Sequence, residues 1–293
     1  MPSDTSLMKW RCLLIMTIFL SACQPQVVTS TALPPANTVE PTAAPLPTQT
    51  MSRTSQQPTQ TMEMPTSTTH AFRVCCPLEE ETLETLPSIL VNPLVIPAFG
   101  RDDGHHGLDF SYYRRGTRES IQGIEVYAIL SGTISLTLPD EIPYGNTIII
   151  ETPLSELPGP LQDKLKSLYQ PIPENVQYQG ECPEISPPTL TENLSVYHLY
   201  AHLENSPSFQ KGDLINCGVQ LGTVGNSGRS SNHHLHLETR LGPSGADLGD
   251  MAFYETKYTE AQRANYCLWR MSGYFQLFDP YLIFNAWLAD LTH

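Results

Sequence analysis

The feature that most constrains this chain is a succession of short runs rich in β-branched and apolar residues, each bounded by turn signals. They read SILVNPLVI, IEVYAILSGTISLTL, GNTIIIET, LSVYHLYAHL, INCGVQLGTVG and HHLHLETR. Such residues fit a pleated, half-buried surface. Gly132, Gly145, Gly218, Gly222, Gly225 and Gly228 stand where hairpins or tight bends are expected. The pattern predicts a mainly β fold with an antiparallel sheet core.

A few short peripheral helices are expected around that core. Residues 160–169 place Leu161, Leu165 and Leu168 on one face, and Thr259 with Gln262 forms a capping box opening a helix to about Met271. Asp279-Pro280 opens a third over YLIFNAWLADL. The segments near 155–194 and 248–272 read as insertions between strands.

Order is expected from residue 71 to 293. Ahead of it, residues 23–70 are dominated by Thr, Pro, Ser and Gln, a composition that cannot offset the entropy of ordering. As a flexible coil, that tether spans roughly 40 Å. Residues 1–22 put Lys9 and Arg11 before a short apolar run, as a secretory signal does, and the run is too short to span a membrane comfortably. Leu20-Ser21-Ala22-Cys23 resembles a bacterial lipobox, which implies lipidation of Cys23 and a membrane-anchored, extracytoplasmic protein.

With 16 basic and 30 acidic residues the formal charge is -14, so the chain has no basic footprint for nucleic acid. Outside the cytoplasm, Cys75, Cys76, Cys182, Cys217 and Cys267 are free to form disulfides, and their odd number leaves at least one thiol unpaired. The adjacent pair Cys75-Cys76 lacks the two-residue gap of metal or redox motifs.

Three segments carry chemistry. In SNHHLHLETR, His234 and His236 share a strand face, with Cα atoms roughly 7 Å apart. In DDGHHGLDF, His105 and Asp109 are four residues apart; to serve one ion the chain must bend between them, and Gly107 is placed to supply that bend. In YHLYAHLE, His202 shares strand parity with His198 and Tyr200. Together these hold what a hydrolytic zinc site requires: three nitrogen or oxygen ligands and further imidazoles to move protons.

His105-His106-Gly107-Leu108-Asp109, Tyr200-Ala201-His202-Leu203 and Gly228-Arg229-Ser230 leading to His234-Leu235-His236-Leu237-Glu238 resemble the signature segments of the lysostaphin and LytM family of zinc metallopeptidases. The resemblance covers about residues 90–282, interrupted by the two insertions. It implies the family's β fold, of the duplicated hybrid-motif type, and Zn²⁺ held by His105, Asp109 and His236. His202 and His234 would be the catalytic pair, with the choice of general base between them open. Asn232 stands where the family has glycine, and asparagine tolerates a left-handed turn. The implied function is an endopeptidase of the cell envelope acting on peptidoglycan peptides. A catalytically silent wall-binding or amidase-activating module is a second reading, and a zinc peptidase acting on proteins a third.

Overall fold

The computed structural model describes residues 72–291. The expected leader, Cys23 and the tether lie outside the described residues. The sheet is antiparallel and eight-stranded, built from β1 (Leu90–Asn92), β2 (Leu108–Phe110), β4 (Gly132–Glu141), β5 (Gly145–Pro153), β6 (Leu194–Leu203), β7 (Leu214–Ile215), β9 (Leu235–Pro243) and β10 (Gln276–Leu277). Its spatial order is β1-β2-β9-β6-β5-β4-β7, with β10 paired to β9. A separate two-stranded ladder joins β3 (Glu125–Tyr127) to β8 (Gln220–Thr223). Gly222, read from the sequence as a bend, lies inside β8.

Strand alternation sends the two faces of the sheet into two cores. Ile148, Ile150, Val196, Tyr200, Leu235, Leu237 and Leu241 join one cluster; Ile149, Tyr197, Leu199 and Ala201 join the other, which also packs against Tyr266, Cys267 and Trp269. All nine residues of β9 are buried, so His236, Glu238 and Arg240 are polar side chains inside the second core. A row of buried polar groups demands partners, and their identity is the informative question.

The three helices form as expected. α1 is Gly159–Leu168, α2 is Glu260–Arg270 and α3 is Tyr281–Asp290. At the start of α2 the reciprocal capping box is present, Gln262 N donating to Thr259 Oγ1 at 3.2 Å and Thr259 N to Gln262 Oε1 at 3.0 Å. α1 lies in the β5–β6 connection, and α2 in the 248–272 segment that follows β9. Cys182 bridges Cys267, tying these two segments together, while Cys75 bridges Cys217 and leaves Cys76 free. Among the described residues no helix is long and apolar enough to cross a membrane.

Candidate metal centre

Sheet register builds the first half of the site. Asp109 of β2 is paired with His236 of β9, so both side chains project from the same face. Asp109 Oδ1 lies 2.7 Å from His236 Nδ1, and Asp109 Oδ2 lies 3.1 Å from His105 Nε2. The ligand atoms of His105, Asp109 and His236 fall within 4.8 Å of one another. Donors about 2.0–2.1 Å from a tetrahedral ion sit about 3.4 Å apart, a spacing on the scale of this triplet. Two imidazoles and one carboxylate make a mixed set that suits Zn²⁺, whereas an all-oxygen set would suit Mg²⁺ or Ca²⁺.

The chain bends at Gly107, between His105 and Asp109, as expected, and also at Gly104, just before His105, where φ is +81°. Gly107 serves a second purpose. A Cβ there would lie 2.9 Å from both Cε1 and Nε2 of His236 and 2.6 Å from the Leu237 carbonyl, so only glycine lets the loop pass the ring. Asn92 Nδ2 donates to Asp109 Oδ2 at 3.1 Å and steadies the carboxylate from β1.

The second half departs from simple strand reasoning. β9 begins at Leu235, so His234 lies just before the strand. Its Nδ1 donates to the Asn232 carbonyl at 2.8 Å, which is the role Asn232 plays; its backbone is not left-handed. His202 would by parity face the core containing Tyr200, yet its φ is +60° and the β5–β6 register shifts there. The left-handed residue rotates the side chain to the other face, where the His202 ring centroid lies 4.7 Å from that of His234 and 5.8 Å from that of His236. His202 Nδ1 donates to the Ser227 carbonyl at 2.8 Å. That loop is held close because a Cβ on Gly228 would lie 2.3 Å from the Gly145 nitrogen.

These carbonyls decide which nitrogen is available. A carbonyl only accepts, so His202 and His234 carry their protons on Nδ1 and present Nε2, as does His105, whose Nδ1 donates to the Pro93 carbonyl at 2.9 Å. Burial, then the neighbouring imidazoles, pushes His202 down to about 3. Burial likewise lowers His234. Both are therefore neutral near pH 7 and able to accept a proton. His202, His234 and His236 also bring ligand atoms within 4.8 Å, so all five polar side chains share one cluster.

Glu238 is a member to which the sequence reading gave no role. Fully buried, it meets His236 Nε2 at 3.1 Å through Oε1 and Arg240 Nε at 2.8 Å through Oε2. Burial alone would raise its carboxyl; Arg240 and His236 instead hold it well below the usual range. For His236, burial is outweighed by Asp109 and Glu238, which push it up to about 9. Burial of Asp109 is outweighed in the same way by hydrogen bonds from His105 and His236, and its carboxyl is held far down. A cation entering this triplet would displace a proton from His236 Nδ1. The i, i+2 spacing of His236 and Glu238 on a strand was the available signal for this pair.

Residues 189–247 match the sequence model of Peptidase family M23. That stretch includes His202, His234, His236 and Glu238 and lies beyond His105 and Asp109. No curated protein matches the chain. Among solved structures, the catalytic domain of the antimicrobial peptidase lysostaphin from Staphylococcus simulans is 19% identical, with 55% of this chain and 87% of that one covered at a TM-score of 0.31. A catalytic-domain variant of the prophage-encoded M23 protein EnpA from Enterococcus faecalis is 20% identical, with coverage of 52% and 83% and a TM-score of 0.28. A zinc containing peptidase from Vibrio cholerae is 17% identical with a TM-score of 0.32; 59% of this chain matches 37% of that one, so the chain spans little more than a third of it.

Proposed function

Taking residues 189–247 as the family M23 peptidase segment that they match, we propose that this protein is a zinc-dependent endopeptidase hydrolysing peptide bonds in peptidoglycan cross-bridges or stem peptides. The observation that carries the reading is the meeting of His105, Asp109 and His236, with His202 and His234 beside them and both neutral. His105 through Nε2, Asp109 through its carboxylate and His236 through Nδ1 would hold Zn²⁺. When bound there, Zn²⁺ supplies a Lewis acid that polarises a peptide carbonyl and acidifies water.

The remaining work belongs to the chain. Of His202 and His234, one accepts the proton of the attacking water at Nε2 and delivers it to the departing amine. The other, uncharged and presenting a bare Nε2, would have to take up a proton there before donating to the oxyanion. A groove lined by Ile142, Gly228, Arg229, Ser230, Ser231, Tyr254 and Glu255 opens next to Ser230, whose Oγ lies 3.3 Å from His234 Nδ1, and offers a path for an extended peptide. Acylation of Cys23 would anchor the protein at a membrane, and residues 23–70 would tether the 71–293 domain within reach of the wall.

The test incubates the purified protein with sacculi and with defined muropeptides, before and after exhaustive chelation, and identifies released peptides by mass spectrometry. Cleavage at one class of peptide bond, abolished by chelation and restored by Zn²⁺, is expected. Undiminished cleavage in zinc-free protein overturns the mechanism. Zinc-loaded protein that cleaves no wall peptide overturns the assignment, in favour of a silent wall-binding module or, if proteins are cut, a protein peptidase.

A further inference from the structure

The 248–272 segment, whose sequence offered no role, delivers a charged side chain to the far side of His236. α2 ends on Arg270, and its side chain turns back toward the sheet. Nε donates to Asp102 Oδ1 at 2.6 Å. Nη1 donates to the Tyr144 hydroxyl at 3.1 Å and stands 3.6 Å from Glu238 Oε1. Asp102, three residues before His105, also accepts from Tyr266 at 2.9 Å and from Tyr254. One carboxylate thus fastens the segment at three side chains. The same segment fixes the second arginine, since the Trp269 carbonyl accepts from Arg240 Nη1 at 2.9 Å.

Hydrogen-bond direction decides what this network does. Arginine only donates, and an ion-paired carboxylate only accepts. The Tyr144 hydroxyl, accepting from Arg270, therefore gives its one proton to Glu238 Oε1 at 2.6 Å. Glu238 receives Arg240 on its other oxygen and accepts from His236 Nε2 as well. The polarity is single-valued, and it ends with a proton on His236 Nε2 and with Nδ1 facing Asp109. Buried ion pairs contribute little net stability compared with well-packed apolar side chains. Orientation of the ring is what this one provides.

We propose that Arg270 is a positioning residue of the metal centre: acting through Tyr144 and Glu238, it locks the orientation and tautomer of His236, so cation affinity depends on a segment that contributes no ligand. The inference rests on the functional reading only in taking Zn²⁺ as the cation, and not on the substrate.

The experiment measures zinc affinity by competition with a chromophoric chelator in the full chain and in two variants, with circular dichroism of the zinc-free proteins as the check on folding. The pair Arg270→Gln with Asp102→Asn removes opposite charges together, so neither is left buried alone. Tyr144→Phe removes one oxygen and serves where the pair does not fold. A loss of roughly 10- to 100-fold in affinity, the range for partners that orient metal ligands, is expected. Nitrogen-15 NMR of His236 in the zinc-loaded protein supplies a second reading: a single Nε2–H tautomer in the unaltered chain and a mixture in the variants. Folded variants with affinity within about twofold of the unaltered chain and an unchanged tautomer overturn the proposal while leaving the peptidase reading intact. An unaltered chain that binds no zinc overturns both.

Discussion

At the scale of single residues, His202 and His234 are separated from His236 by protonation and by what holds them. Carbonyls of Ser227 and Asn232 take their Nδ1 protons, and burial keeps the rings uncharged. Neither ring is needed to complete the His105, Asp109, His236 triplet. Replacing either one, His202→Ala or His234→Ala, is expected to lower hydrolysis by about 10²- to 10⁴-fold, the usual contribution of a positioned acid or base. Bound zinc is expected to remain at one per molecule, read by atomic absorption. Loss of the metal along with activity would place that histidine among the ligands. The spacing of His105 with Asp109 and of His234 with His236 made this cluster legible in the sequence. The left-handed turn of His202 was not, because nothing in YHLYAHLE marks a positive φ at a non-glycine residue; strand parity alone sent the ring to the wrong face. Gly107 was legible as the bend between His105 and Asp109 but not for the room it leaves, since the ring it accommodates comes from a strand 129 positions away, by subtraction of 107 from the number of His236.

At the scale of elements, all three helices and the strands other than β2 and β10, which are too short to show a period, could be read from periodicity and caps, because each signal is local: runs of β-branched residues, a Thr-x-x-Gln box, a Pro after Asp. At the third helix the cap differs slightly from the expectation, Asp279 Oδ1 accepting from Tyr281 N at 2.9 Å with Pro280 as the boundary residue. What was not legible is how segments between strands are used. Neither the pairing of Cys182 with Cys267 nor the reach of Arg270 to Asp102 has a local signature; both are contacts between distant stretches. The disulfide has a measurable consequence. It closes a loop with a sequence separation of 85, for which chain entropy in the unfolded state gives about 4–5 kcal/mol. Replacing both cysteines by alanine is expected to cost roughly 2–5 kcal/mol, seen as a lower urea midpoint with a steeper denaturant slope as the unfolded chain expands. An unchanged midpoint would mean that the bridge constrains only locally.

At the scale of the whole molecule, proton linkage tests whether the sheet unfolds as one unit. His198 is fully buried on β6, with β5 on one side and β9 on the other, and its ring meets Thr152 Oγ1 at 3.1 Å and the Tyr200 hydroxyl at 2.8 Å. Burial pushes it from 6.5 down to about 3. The folded ring is neutral while the unfolded ring charges below 6.5, so between these values the unfolded chain binds the extra proton. Stability from this group is complete above about pH 6.5 and is lost as pH falls toward 3, at up to about 1.4 kcal/mol per pH unit. Acid acts in the opposite direction through the formal charge of -14, because protonating carboxylates eases self-repulsion. The absolute slope mixes both effects, and the difference between two chains isolates one. In urea titrations at pH 7, 6, 5 and 4, the His198→Gln chain is expected to lose stability less steeply than the unaltered chain, by up to one proton's worth. Because β6 is central, exposing this ring requires opening the sheet, and the linkage belongs to global unfolding. Equal slopes in the two chains would show that the ring is reached by a local opening, with the central strands separating before the rest of the fold.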